Sequence, residues 1–431
     1  MATLNTYPDN ISVEEAIQTR MVADLTAINN EVAAVTAGSG VLVSSDDSTV
    51  GYLDGKLLAG EGIDLTVGSP AGNETLTISC DRIFNKNAII NGDFNIWQRG
   101  TSFSSIASNS YSADRWRYVE VSDSVHTVSR DTDVPTQSES EHQSNYSLKL
   151  DCTTIDASIA AGDQIFLDHK IEGYNFAPFV GRATTLSFWV KSVKTGIYCV
   201  AFVNSGSDRS YVVEYTINSA STWEKKTITL TFDYSGGTWN YIDGIGIRVV
   251  FAIATGSTYQ TTANAWQSGN YIATSNQVNG ADSADNNFWL AQVQFELGSV
   301  ATDFEYRQFG DELARCQRYY WKTFPYATAP AQNLDSLNGA IGVYVSVAGA
   351  NGYANKRIQF PVVMRGAPTI IFYSTHEATA NWYNNNDGAD TTAGLVMDGA
   401  NDHGFTAGCA QGATDGQGEQ LFIQATASVE L

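Results

Sequence analysis

Short runs of alternating apolar and polar residues recur through most of this chain, each closed by Gly, Ser, Asn or Asp. In TLSFWVK, Leu186, Phe188 and Val190 fall on one side of an extended backbone, and Ser187, Trp189 and Lys191 on the other. Comparable runs cover Tyr146–Cys152, Tyr198–Val203, Tyr211–Ile217, Lys226–Phe232, Gly246–Ile253 and Phe288–Leu297. A period of two cannot keep one face of a helix apolar, so the fold class is mainly β. Roughly eight antiparallel strands across residues 84–308 predict a jelly-roll β-sandwich sooner than a barrel. The stretch FGDELARCQRYYWKTF follows, with Leu313, Cys316, Gln317 and Tyr320 at helical spacing, so one short helix is expected before Pro325 and Pro330. IGVYVSV, RIQFPVVM, TIIFYST and QLFIQATASVEL then predict a smaller β-sandwich over 309–431. The stretch HEATANWYNNNDGADTTAGLVMDGANDHGF reads as one long loop inside it.

The N-terminal part obeys a different rule. Met21, Leu25, Ile28, Val32 and Val35 are spaced four, three, four and three, the a/d seam of a coiled coil, and Ser12 with Glu15 makes a capping box. A helix of about three heptads is marginal alone. It packs either on its own chain or, as the seam favours, on copies of itself. Residues 41–79 alternate briefly (Ile63–Val67, Leu76–Ile78) but carry too few large side chains to enclose a core. A core shared among several chains resolves both shortages.

Three groups of residues carry resemblances. DDSTVGYLDGKL, GEGIDLT and GNETLTIS resemble the neck or shaft of tailed-bacteriophage fibre proteins, which are homotrimers. NGDF, SLKL, TLSFWVK, TWEKKTITLTF and FWLAQVQFELG follow the motif order of carbohydrate-binding-module jelly rolls. INGDFNIWQRGTSF, YSADRW and ELARCQRYYWKT are closer still to phage tail-fibre proteins. The chain is thus partitioned as an attachment segment and coiled-coil helix (1–38), a trimeric β-rich neck (39–83), the jelly roll (84–308), and a helix with a C-terminal sandwich (309–431).

The carbohydrate-binding resemblance implies a structural calcium held by carboxylates on the first and last strands. Here Asp93 matches, but Asn95 stands where the next acid falls, and Ala291 and Gln292 where aspartates are expected. Calcium wants several anionic oxygens. A calcium kept through Asp93 and backbone carbonyls is one reading, and no cofactor the other. Within NGDFNIWQRG, Asn91-Gly92 is expected to turn, Phe94 and Ile96 to face the core, and Arg99 to stack on Trp97 or pair with Asp114. Direct sugar contact by Trp97 is the alternative.

Charge excludes several partners. With 24 basic and 46 acidic residues the formal charge is −22, and no Lys/Arg cluster interrupts it. Nucleic acid and anionic membranes are therefore not expected as partners. No apolar run is long enough for a membrane span, and MATLNTYPDN lacks the pattern of a signal peptide, so folding in a bacterial cytoplasm is expected. Five scattered cysteines without CxxC read as buried thiols. The five histidines show no HxH or HExxH spacing, and neither a GxSxG nor a Walker loop is present. No β-helix repeat of the kind used by capsule-cutting spikes is visible, so no enzyme and no catalytic residue is expected.

Sugar binding in water calls for aromatics on loops beside short polar side chains. Two places fit: Trp239, Asn240 and Tyr241 after a glycine turn, and Trp382, Tyr383, Asn384, Asn385 and Asp387 in the long loop. Asp398 and Asp402 are better read as a solvated turn than as cation ligands. The resemblances imply a virion tail fibre or appendage, homotrimeric, joined to tail or baseplate proteins through its N-terminus and adhering to host surface glycans. A purely structural collar or baseplate part is the alternative, and a capsule depolymerase the third reading.

Overall fold

A computed structural model describes residues 19–27, 52–58, 63–69, 74–80, 86–233, 235–345, 354–409 and 419–431. The chain divides into two compact units, Met1–Phe84 and Asn85–Leu431.

In the first unit residues 19–27 are helical. Met21 and Leu25 of the expected seam lie on this helix, exposed on the single chain together with Val22. Ile28, Val32 and Val35 lie outside the described residues. A one-turn helix, Leu53–Lys56, precedes an antiparallel hairpin of Ile63–Gly68 and Thr75–Cys80, with Ile63 opposite Cys80 and Gly68 opposite Thr75. Leu58 and Ile78 are exposed as well. Apolar side chains left bare on both helix and hairpin are what an under-filled segment produces.

The second unit is mainly β. One sheet of seven strands runs in the order Trp266–Ser268, Arg209–Ile217, Gly196–Asn204, Ile245–Thr255, Gln164–Glu172, Trp116–Val121, Ser110–Tyr111. A second, of six, runs Glu224–Thr231, Ala183–Ser192, Asn287–Leu297, Ser147–Thr154, Val125–Asp131, Ser102–Phe103. The strand pairings within them are antiparallel, as in a sandwich whose neighbours come from distant parts of the chain. Leu186, Phe188 and Val190 face inward as their spacing predicts, meeting Phe202, Phe251 and Tyr215 from the facing sheet.

The alternate positions are buried too. Trp189 and Lys191 lie on the outer face, where the Lys191 ammonium sits 4.3 Å from the Trp289 ring centre and pairs with Asp133, while Trp289 Nε1 donates to Asp131 at 3.1 Å. The outer face of the seven-stranded sheet is covered as well: Val119, Phe166, Val203 and Val250 pack under Ile272 and Ala273.

After the helix Phe309–Gln317, Tyr320 already belongs to a strand, pairing with Ser428, so the helix is shorter than its spacing suggests. The long strand Glu419–Ser428 organises the smaller sandwich, pairing with Tyr320–Lys322, Ile341–Val345, Thr369–Tyr373 and Asn381–Asn384. Ala354–Gln359, Gly404–Cys409 and Leu395–Asn401 form the facing sheet. The expectation of one long loop is corrected here: its residues include the strands Asn381–Asn384, Ala389–Ala393 and Leu395–Asn401. Their Thr, Ala and Asn content hid them, because partner strands rather than large side chains hold them.

The two sandwiches meet over a polar and aromatic seam. Cys316 and Tyr319 pack on Ile90 and Ile96, and Arg318 forks onto Glu172 at 2.7 and 3.0 Å. Glu430, next to last in the chain, takes Arg99 at 2.9 Å and also pairs with Arg115. Four cysteines, Cys152, Cys199, Cys316 and Cys409, are free and buried, as their scatter predicts.

Candidate functional site

The segment Asn91–Gln98 is knotted by its own polar groups. Asn91, at φ +59°, donates through Nδ2 to Ile96 O at 2.8 Å and Asp114 O at 3.0 Å, and its Oδ1 accepts from Ile96 N at 2.9 Å. Trp116 Nε1 donates to Asn91 O at 3.0 Å. Gly92 lies against the last strand of the jelly roll: a Cβ there would sit 2.1 Å from Val293 O, so only glycine fits. Phe94 and Ile96 are buried, as expected. This knot pushes Asp93, between Gly92 and Phe94, out of the core.

Asp93 opens into a cavity of about 160 Å³. Its Oδ1 accepts from Ser144 Oγ, and its Oδ2 from Asn95 Nδ2 at 2.9 Å and His142 Nε2 at 3.0 Å. The opposite wall comes from residues 304–312, more than two hundred positions later. There Arg307 is held by Glu305 at 2.9 Å and Glu312 at 3.1 Å, and also donates to Ile89 O at 3.0 Å. Glu312 accepts from Asn91 N, which ties the two walls together. Phe304 packs on the His142 ring. Tyr306 and Phe309, 73% and 50% exposed, stand in the lining with their rings bared to water, and Asn145 is exposed beside them. Phe309 is steadied edge-on by Tyr326, 5.3 Å between centres.

The donor set around Asp93 does not suit calcium. Asp93 supplies one carboxylate already engaged by three donors. Gln292, at the position of an expected aspartate, turns its amide nitrogen onto Ser140 Oγ at 2.9 Å and Ser144 Oγ at 3.0 Å. Ser144 thus bridges Asp93 and Gln292 through hydrogen bonds. Among the described residues no group of three or more His, Cys, Asp or Glu is placed to hold a metal ion.

The aromatics singled out in the sequence lie elsewhere. Trp239 is half-buried: its Nε1 donates to Gly236 O at 2.7 Å and its ring stacks on Phe176 at 5.6 Å. Asn240 Oδ1 accepts from Ile242 N at 2.8 Å, shaping the loop. Tyr241 is 38% exposed, beside the exposed Ile242 and Tyr174. Trp382 is a correction. It is fully buried in the smaller sandwich, with Nε1 on Gly408 O at 2.9 Å, and has no face to offer a sugar. Tyr383 is buried against His376, ring centres 3.7 Å apart, and Asn384 is buried with Nδ2 on Asp387 at 2.7 Å. Asn385 and Asp387 remain exposed in the hairpin turn that follows. Asp398 lies in the strand Leu395–Asn401, and Asp402 accepts from the adjacent His403 at 2.8 Å.

Trp97 is also buried, its Nε1 on Phe94 O at 2.6 Å, so it neither meets a sugar nor stacks on Arg99. The Arg99 guanidinium lies 3.6 Å over the Tyr320 ring, with Nη1 3.6 Å from Asp114. Burial pushes the Asp114 carboxyl up to about 6, against the pull of Arg99. The cavity itself escaped the sequence reading. Its faint signal is EYRQF (305–309), two aromatics astride an arginine directly after the jelly roll.

No family model matches the chain, and no curated protein does. Among solved structures, the enzymatically active domain of tailspike protein 4 from bacteriophage CBA120 is similar at 14% identity, over 45% of this chain and 21% of that one, with a TM-score of 0.26. A family 11 carbohydrate-binding module from Clostridium thermocellum, in complex with a β-1,3-1,4-mixed-linked tetrasaccharide, is similar at 11% identity over 47% of this chain and 98% of its own, TM-score 0.26. The C-terminal family 22 carbohydrate-binding module of Clostridium thermocellum Xyn10B gives 11%, 47%, 98% and 0.25. Likeness at this level does not speak to what this chain binds. The fold rests on the strand pairings above.

Proposed function

We propose that this chain is a homotrimeric tail fibre or tail appendage of a tailed bacteriophage, carried on the virion, that adheres to host surface glycans without cleaving them. The observation that carries the reading is the cavity between Asp93 and Phe309. It sets two water-exposed aromatic rings, Tyr306 and Phe309, beside the short polar side chains Asn95, Asn145 and Asp93. A pyranose has an apolar C–H face and a hydroxyl rim, and that combination of surfaces matches both. The loop of Trp239, Asn240 and Tyr241, with exposed Tyr174, is a second and shallower contact. Three copies joined through Met21, Leu25 and the bare apolar residues of the first unit would multiply weak single contacts into firm attachment. Tail or baseplate proteins would hold the N-terminal segment.

An array of bacterial surface glycans probed with the purified chain tests this. Binding is expected, and Tyr306→Ala combined with Phe309→Ala should abolish it while the circular dichroism spectrum stays unchanged. A chain that binds no glycan on such an array would favour the structural virion role. The burial of Trp382 and Tyr383 suits that role for the smaller sandwich. Loss of polymer viscosity on incubation with capsule would instead mark a depolymerase.

A further inference from the structure

The geometry points to a narrower ligand class for the cavity: one uncharged pyranose ring, the end residue of a host glycan, with sugar acids turned away. This rests on the adhesin reading above. Volume sets the first limit. Sites for drug-sized ligands run to about 300–1,000 Å³, whereas this cavity encloses about 160 Å³. It has room for a single ring and none for a chain of them, so the rest of the glycan must lie outside.

Charge sets the second limit. Three carboxylates, Asp93, Glu305 and Glu312, line the cavity against one guanidinium, Arg307. Both outer nitrogens of that guanidinium are already engaged. Its Nη1 donates to Ile89 O at 3.0 Å and Glu312 at 3.1 Å, and its Nη2 to Asn87 O and to Glu305 at 2.9 Å; only its Nε has no partner, and that atom is buried away from a ligand. His142 is likewise committed to Asp93. A ligand carboxylate would meet surplus negative charge and, among the described residues that line the cavity, no free cation, in a partly desolvated site on a chain of net charge −22. Hydroxyls fare better. The amides of Asn95 and Asn145 offer both donors and acceptors without charge, and Tyr306 and Phe309 supply the apolar faces.

Saturation-transfer NMR on the full chain tests the inference. The probes are methyl glucoside, methyl galactoside, methyl mannoside and N-acetylglucosamine, set against glucuronate and N-acetylneuraminate. At least one uncharged ring is expected to bind, with both acids weaker by at least about tenfold. Tyr306→Ala and, separately, Asn145→Ala should each remove that signal; both side chains are exposed, so the fold should survive. An acid binding as well as the best uncharged ring would overturn the inference and leave adhesion standing. So would an uncharged ring whose binding ignores both substitutions, or silence from every single ring with a positive glycan array. Silence from both rings and array would remove the adhesin reading itself.

Discussion

Glu430→Gln keeps the shape of a buried side chain and removes its charge. Glu430 serves two arginines at once, with its own side chain 9% exposed, Arg115 at 1% and Arg99 at 14%. Without the carboxylate, Arg115 keeps Lys170 O at 2.7 Å and the Tyr319 ring at 3.6 Å, but no anion. Arg99 still has Asp114 near its Nη1. Removing one partner of a buried ion pair costs about 3–5 kcal/mol, since the survivor stays buried and unpaired. Because Asp114 shelters Arg99, the lower end applies, about 3 kcal/mol. In urea unfolding followed by tryptophan fluorescence, with a slope of about 3 kcal/mol/M, the midpoint should fall by about 1 M. The double variant Arg115→Met with Glu430→Gln should recover part of the loss, as it strands no charge. A single-variant shift below about 0.2 M, the size of an ordinary surface substitution, would show that this seam does not hold the sandwiches together.

His126 supplies a pH test: burial holds its imidazole down to about 4, with Nδ1 2.8 Å from the Tyr118 hydroxyl and Nε2 unpartnered. A lowered folded-state value means stability present above about 6.5 and lost as pH falls through about 4, about 3 kcal/mol in full; urea midpoints at pH 7 and 4.5 should fall more for wild type than for His126→Gln, and equal falls would refute it. Gly92→Ala drives a methyl into Val293 O and should cost about 1–3 kcal/mol in the same unfolding assay; a neutral result would mean the strand approach is looser than it looks. Trp382→Ala should lower stability by about 3–5 kcal/mol yet leave glycan-array binding by the folded protein intact, whereas lost binding would return Trp382 to the site. Leu25→Asp, which would place three charges in one layer of the seam, should reduce the mass seen by light scattering from three chains to one; an unchanged mass would show that the seam lies elsewhere.

What could be read from the sequence followed from local period. Leu186, Phe188 and Val190 advertise their inward face, and Phe94 and Ile96 theirs, because alternation is a property of neighbours along the chain. Burial of the opposite face was not visible. Lys191 is covered by Trp289, from a neighbouring strand, and by Asp133, from just beyond another. The same reason explains Arg99: of the two expected partners, Asp114 is found and Trp97 is not, while its second carboxylate, Glu430, lies at the far end of the sequence and was not foreseen. Residues 376–405 misled by composition: Asn, Gly and Asp suggest loop, but Tyr383 and Asn384 are zipped to Phe422 and Leu421. The cavity combines all these difficulties. Asp93 was marked for a calcium role, yet its neighbour Tyr306 comes from a stretch with no period, and Phe309 and Glu312 open the helix Phe309–Gln317. The spacing that announces that helix gives no hint that its first turn faces Asp93.

The most direct test is a crystal structure of the full chain grown with the glycan that binds best on the array. A sugar ring seated between Tyr306, Phe309, Asn95 and Asn145 is the predicted result. A ring lodged on the Trp239–Tyr241 loop, or on any other surface with this cavity left to solvent, would contradict the account.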